Sequence, residues 1–245
     1  MTIGLFIPCY VDQFYPQAAI ATLRLLEKLG LTVVVPRRQT CCGQPMANSG
    51  FGSLSRGCDN LIMDNFKGVD YIVSPSGSCA LHIKEHLHSD KDPGRALDMR
   101  HRVFELVEFL TDIMKITSLK AVFAHKVSLH QSCHGLRGLH LSHMSERVEP
   151  DFSKPVHLLS MVKGLELVKL NRPDECCGFG GTFCLEQEAV SVKMGKDRVA
   201  DHTGSGAEYI TSSDLSCLMH LEGILRRNSN PVKVIHIAEI LNAEH

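Results

Sequence analysis

Residues 3–8 form a near-continuous apolar stretch ending at Cys9, and beyond it short apolar runs alternate with segments of helical spacing. Runs of four to six apolar residues suit strands buried on both faces. Residues 16–29 instead carry Ala19, Ile20, Leu23 and Leu26 at helical spacing, with Gly30 as a C-terminal cap. A β-branched run follows at 31–36, then a helical stretch at 53–66 closed by Gly68, and a third strand at 71–74. The order recurs with a strand at 127–130, a helix near 156–163, a strand at 165–170 and a helix at 186–200. A strand at 208–212, a helix at 215–226, a strand at 232–237 and a short terminal helix complete it. Residues 89–100 are polar and hold Pro93 and Gly94, so they read as a break between halves, followed by a bridging helix over 101–116. The pattern predicts two similar α/β halves, 1–117 and 118–245. Each is a parallel sheet flanked by helices with right-handed crossovers.

Composition narrows the function. A hydrophobic share of 44% and a charged share of 22% are ordinary for a globular chain. The net charge of −1 carries no basic bias toward nucleic acid or anionic lipid. No apolar run approaches a membrane span, so no transmembrane segment is expected. The first residues lack the basic region and cleavage site of a secretory signal, which predicts a cytoplasmic protein. In that compartment ten cysteines point to metal or redox chemistry rather than a disulfide framework.

Their arrangement sharpens the point. Cys9, Cys41-Cys42-Gly43 and Cys79-Ala80-Leu81-His82 in the first half are matched by Cys133, Cys176-Cys177-Gly178 and Cys217-Leu218-Met219-His220 in the second. The intervening segments are 31 and 36 residues in one copy and 42 and 39 in the other. Each group follows an apolar strand, and carboxyl-end loops of a parallel sheet converge on one crevice. Neighbouring residues of a strand face opposite ways, so each Cys-Cys pair must lie in a turn, which Gly43 and Gly178 permit. Cys79 and His82, like Cys217 and His220, share a face at the start of a helix, where a thiolate is favoured. Thiolate-rich sets select iron in clusters, or zinc. The competing account is buried core thiols with incidental histidines. His82 and His220 are candidate ligands or outer-shell donors. Cys58 reads as core, and Cys184 as core or a spare thiol. The glycines of Gly178-Phe179-Gly180-Gly181 are adequately explained by the turn. Among the histidines between 125 and 157, His134 and the nearby Arg137 are the ones placed to affect a cluster, and most of the rest read as surface or structural residues.

The elements Phe6-Ile7-Pro8-Cys9, Cys41-Cys42-Gly43-Gln44-Pro45, Ser74-Pro75-Ser76-Gly77-Ser78-Cys79, Ser132-Cys133-His134 and Cys176-Cys177-Gly178-Phe179-Gly180-Gly181 resemble the CCG (cysteine-rich domain) family. The resemblance covers nearly the whole chain and is strongest to the lactate-utilisation members; the cysteine-rich chain of heterodisulfide reductase is a wider relative. It implies an iron–sulfur subunit, with one or two clusters of 4Fe-4S type, passing electrons in a complex that oxidises L-lactate to pyruvate. Two partner subunits are implied, one carrying ferredoxin-type clusters, since this chain has no C-x2-C-x2-C run. Cys9, Cys41, Cys42, Cys79, Cys133, Cys176, Cys177 and Cys217 carry over as ligands. Heterodisulfide reductase closes its motif with C-x2-C, whereas both copies here close with C-x2-H, which favours a conventional cluster or a mixed Cys/His site, with zinc an alternative in one half. Two other readings are a zinc-stabilised assembly module and a thiol–disulfide enzyme using Cys41-Cys42 or Cys176-Cys177.

Overall fold

The computed structural model describes residues 1–244. The first half runs β1 (Thr2–Leu5), α1 (Cys9–Phe14), α2 (Pro16–Lys28), β2 (Thr32–Val34), α3 (Gln44–Asn48), α4 (Arg56–Asn65), β3 (Tyr71–Ser74), α5 (Gly77–His86), α6 (Pro93–His101), β4 (Val103–Glu105) and α7 (Leu106–Glu108), which widens into a π-type turn over Phe109–Ile113. The second half runs β5 (Lys126–Leu129), a π-type turn (His134–Gly138), α8 (Lys154–Leu159), β6 (Glu166–Leu167), α9 (Phe183–Glu186), α10 (Glu188–Gly204), β7 (Tyr209–Ser212), α11 (Leu215–Arg227), β8 (Lys233–His236) and α12 (Ile237–Leu241). Two four-stranded parallel sheets result, ordered β2-β1-β3-β4 and β6-β5-β7-β8, so the duplicated α/β architecture is as expected.

The join between the halves differs from expectation. Residues 89–100 are not a break. Asp92 accepts a hydrogen bond from Arg95 N at 3.0 Å and Pro93 occupies the first turn, so these residues start α6. The helix expected over 101–116 begins instead with β4, whose Val103 pairs with Ile72 and is fully buried. A three-residue strand is too short to show a periodicity of its own. The expected strand 165–170 shrinks to the exposed edge pair Glu166–Leu167.

Each half ends by reaching across to the other. α7, following β4, packs on α8, and α12, following β8, packs on α2. Both helices open with a capping box, Glu105 with Glu108 and His236 with Glu239. Lys28 Nζ holds the arriving C-terminus through Asn242 Oδ1 at 2.7 Å and Glu244 at 2.6 Å. One apolar cluster accordingly spans both sheets, from Ile3, Ile72 and Val103 to Val127, Leu158 and Ile240. The internal symmetry meets itself where Ser76 and Asp214, equivalent residues after the third strand of each sheet, form an antiparallel bridge. There the buried Asp214 carboxylate accepts from Ser216 N in its own half (3.2 Å) and Ser78 N in the other (2.8 Å), so one side chain caps α11 and α5 together.

Candidate functional site

The carboxyl edges of the two sheets carry the two cysteine sets. Cys9 starts α1 after β1, Cys41 and Cys42 lie in the loop after β2, and Cys79 lies in the first turn of α5 after β3. Gly43 takes φ 94° at the end of the pair, which turns the chain so that adjacent thiols serve one site. An added Cβ there would sit 2.8 Å from Ser55 Cβ. Gly178 repeats this with φ 87° and an even closer approach, 2.7 Å, to the Ser191 carbonyl. Cys42 Sγ lies 3.3 Å from Cys79 Sγ, and both are buried, as are Cys177 and Cys217 in the second set. Backbone N–H groups point at sulfur in both turns: Gly43 N to Cys41 Sγ at 3.4 Å, Gly178 N to Cys176 Sγ at 3.3 Å and Phe179 N to Cys177 Sγ at 3.4 Å.

The electrostatics of the two sets match. Hydrogen bonds from Cys42 and Cys9, with Gly43 N–H, pull the Cys41 thiol from its usual 9 to about 2. Cys133 and Cys177, with Gly178 N–H, do the same for Cys176. The neighbours shift the opposite way: hydrogen bonding to Cys41 and burial push Cys9 up, and bonding to Cys176 and burial push Cys133 up. Cys42 and Cys177 are raised by their bonds to the adjacent thiol, then by those to Cys79 and Cys217. In each quartet one thiol therefore ionises easily while two of its neighbours are held protonated. A cationic centre among the sulfurs is what would let all four ionise.

The structure separates the histidines. His82 is buried between Gly43 and the ring of His86, 5.0 Å away, and burial lowers its pKa to about 4. His220 gives its Nε2–H to Ser191 O at 3.3 Å and packs beside Phe179. His134 Nε2 meets the Gln44 amide nitrogen at 3.2 Å, linking the two sites rather than entering either. Arg137 pairs with Glu146 while still easing charge on Cys133. Cys58 lies beside Thr40, and Cys184 bonds to Gly181 O.

The residue missed by the sequence reading is His130. Read among the surface or structural histidines, it is 1% exposed, and a ring nitrogen lies within 4.8 Å of the Cys177 and Cys217 sulfurs. Among the described residues this is the one compact group of three metal-binding side chains. Desolvation, then the nearby Arg198 charge, lowers its pKa to about 3, so it is neutral. A signal was present: aligning the halves on Cys9 and Cys133 sets His130 opposite Phe6. The sheet confirms this, since Phe6 N donates to Val73 O and His130 N to Thr211 O at equivalent points.

Both sites suit a thiolate-held metal centre. Thiol contacts run from Cys9 through Cys41 and Cys42 to Cys79 in one and from Cys133 through Cys176 and Cys177 to Cys217 in the other, backbone N–H groups face the sulfurs, and in the second the buried His130 Nε2 has no hydrogen-bond partner. The cysteine-rich domain family, CCG, matches this chain twice, over residues 3–84 and 127–222. The chain belongs to the CCG family. Relatives share its full length: Lactate utilization protein A of Geobacillus kaustophilus is 37% identical over 249 residues, all of both chains. That of an Exiguobacterium species is 39% identical over 246 residues, 98% of this chain and 96% of its own. A hypothetical protein from Helicobacter pylori superposes with a TM-score of 0.62 at 14% identity, over 100% of this chain and 49% of that one, and shares the fold.

Proposed function

We propose that the chain is an iron–sulfur electron-transfer subunit of a cytoplasmic complex that oxidises L-lactate to pyruvate. The observation that carries this is the duplicated thiol quartet at the edge of each sheet, two of its members buried in each copy: Cys42 and Cys79, Cys177 and Cys217. On this reading the domains are 1–117 and 118–245. Cys9, Cys41, Cys42 and Cys79 hold one cluster, and Cys133, Cys176, Cys177 and Cys217 the other, each of 4Fe-4S type. His82 and His220 flank the Cys-Cys-Gly turns; because His220 donates its Nε2–H to Ser191 O, we assign ligation to the thiols. A bound cluster supplies one-electron transfer. The chain's own groups set how readily it does so, through the N–H donors to sulfur and through burial. The lactate assignment rests on the full-length relatives named for lactate utilization. Two further subunits, one with ferredoxin-type clusters, would pass the electrons on. No helix among the described residues is long and apolar enough to cross a membrane.

The test is iron, zinc and acid-labile sulfide in anaerobically purified protein. Near-equal iron and sulfide are expected, with about half of each lost in Cys42→Ser and the other half in Cys177→Ser. Zinc without sulfide in well-protected samples would sink the redox reading in favour of a structural zinc module.

A further inference from the structure

Behind the second site lies a buried polar layer that the cysteine motif does not include. Arg198, fully buried on α10, donates through Nε to His130 Nδ1 at 3.2 Å. Its Nη1 binds the Arg172 carbonyl and Asp201 Oδ2, the latter at 3.0 Å. Asp201 is held in turn by Asn171 N and Arg172 N, both at 3.1 Å. His202, one turn beyond Arg198, bonds Ser128 Oγ at 2.7 Å and packs edge-on against His130.

The direction of the Arg198–His130 bond settles the tautomer. A guanidinium N–H only donates, so His130 Nδ1 must be a lone-pair acceptor. A neutral imidazole so held carries its proton on Nε2. That nitrogen is buried and has no hydrogen-bond partner, and a ring nitrogen of His130 lies within 4.8 Å of the Cys177 and Cys217 sulfurs, so the free Nε2–H is available to sulfur once a cluster draws the thiolates together. Direct ligation through Nε2 would require an imidazolate or a broken Arg198 bond.

We propose that His130 is an N–H···S donor to the thiolates of the second cluster, locked in that role by Arg198, and that it makes this cluster easier to reduce than the first. A donor aimed at sulfur stabilises the more negative, reduced state and raises the potential. The first half has nothing equivalent. Phe6 stands where His130 does, its ring partner is Phe66 instead of His202, and Phe66 packs on Gly4 where His202 binds Ser128. The paired halves thus differ in potential because of this layer, with electrons resting preferentially on the second cluster. His130 is a tuning residue on this account, not a ligand.

The inference rests on the functional reading above, and the experiment keeps the two apart. The anaerobic holoprotein is titrated with dithionite and followed by electron paramagnetic resonance, with iron and sulfide measured in parallel. In His130→Phe, which copies the first half, the second cluster is expected to stay in place while its reduction constant falls about tenfold, which is ~59 mV for a one-electron couple. The first cluster should not move. His130→Gln can accept from Arg198 through its amide oxygen and donate an amide N–H to sulfur, but offers no imidazole lone pair. It should keep both the cluster and the wild-type g-values, with a reduction constant within about threefold, and it decides the question if His130→Phe does not fold. Loss of second-half iron or altered g-values in His130→Gln would make His130 a ligand and overturn the proposal. An unchanged potential in His130→Phe with iron retained would overturn it too, while leaving the functional reading standing. A wild-type second half without iron would overturn both.

Discussion

Under the first cysteine set, strand β1 is backed by Gly4, Phe6 and Phe66, an apolar layer in which the Phe66 ring fills the space a side chain at position 4 would need. Under the second, Ser128 and His130 stand at the positions of Gly4 and Phe6, and His202 packs against them in place of the phenylalanine ring, with Arg198 and Asp201 behind, all buried. The backbone is the same, since Gly4 pairs with Ile72 as Ser128 pairs with Ile210. One scaffold thus supports an apolar and a polar floor beneath equivalent thiol quartets. The polar floor is the harder one to build, because every charge removed from water has to be matched. Its presence beneath one quartet alone argues that it acts on what the quartet holds, whereas a stability role would be met as well by the phenylalanines.

The contrast can be broken most severely at Arg198. Arg198→Met strands Asp201 as a buried charge and should cost about 3–5 kcal/mol, read as a lower urea midpoint, with amide exchange rising first in β5 and α10. A smaller effect, about 1–3 kcal/mol, is expected for Gly4→Ser, whose new Cβ would overlap the Phe66 ring at Cδ1. The double variant Gly4→Ser with Phe66→His, imitating the second half, should recover part of that loss. If the single variant is neutral, the two floors are not the packing alternatives described here.

The mildest test is pH. Burial first, and then Arg198, lower His130 to about 3 and His202 to about 2, against about 6.5 in an unfolded chain. Between those values the unfolded state binds more protons than the folded one, so stability is fully present above about pH 6.5 and declines as pH falls below it. In the first half His82, at about 4, makes a similar contribution, but the floor itself has no titrating group. Lowering the pH from about 7.5 to about 5.5, across the unfolded histidine value, should therefore reduce amide protection in β5 and α10 before it does in β1 and α4. Equal loss in both halves would count against the assigned protonation states.

A good part of this was legible in the chain. The thiol quartets could be read because Cys9, Cys41, Cys42 and Cys79 recur as Cys133, Cys176, Cys177 and Cys217 in the same order, each after an apolar run, and parallel sheets gather such positions on one edge. The turn at each Cys-Cys pair followed from the glycine after it, borne out by the positive φ of Gly43 and Gly178. β4 was hidden because three residues carry no period, and α6 because its Asp92-Pro93-Gly94 start reads equally as a loop.

What required the folded molecule is the long-range hydrogen bonding. His130 and Arg198 stand 68 positions apart, and nothing in either segment announces the other. The exchange of α7 onto α8 and of α12 onto α2, and the sharing of Asp214 by two helices, likewise depend on contacts between halves. Local patterning determines which side chains arrive at a strand end, because strand and helix periods are properties of neighbours along the chain. Which proton a histidine keeps, and which sulfur it faces, depends on partners that only the packed chain brings within about 3 or 4 Å.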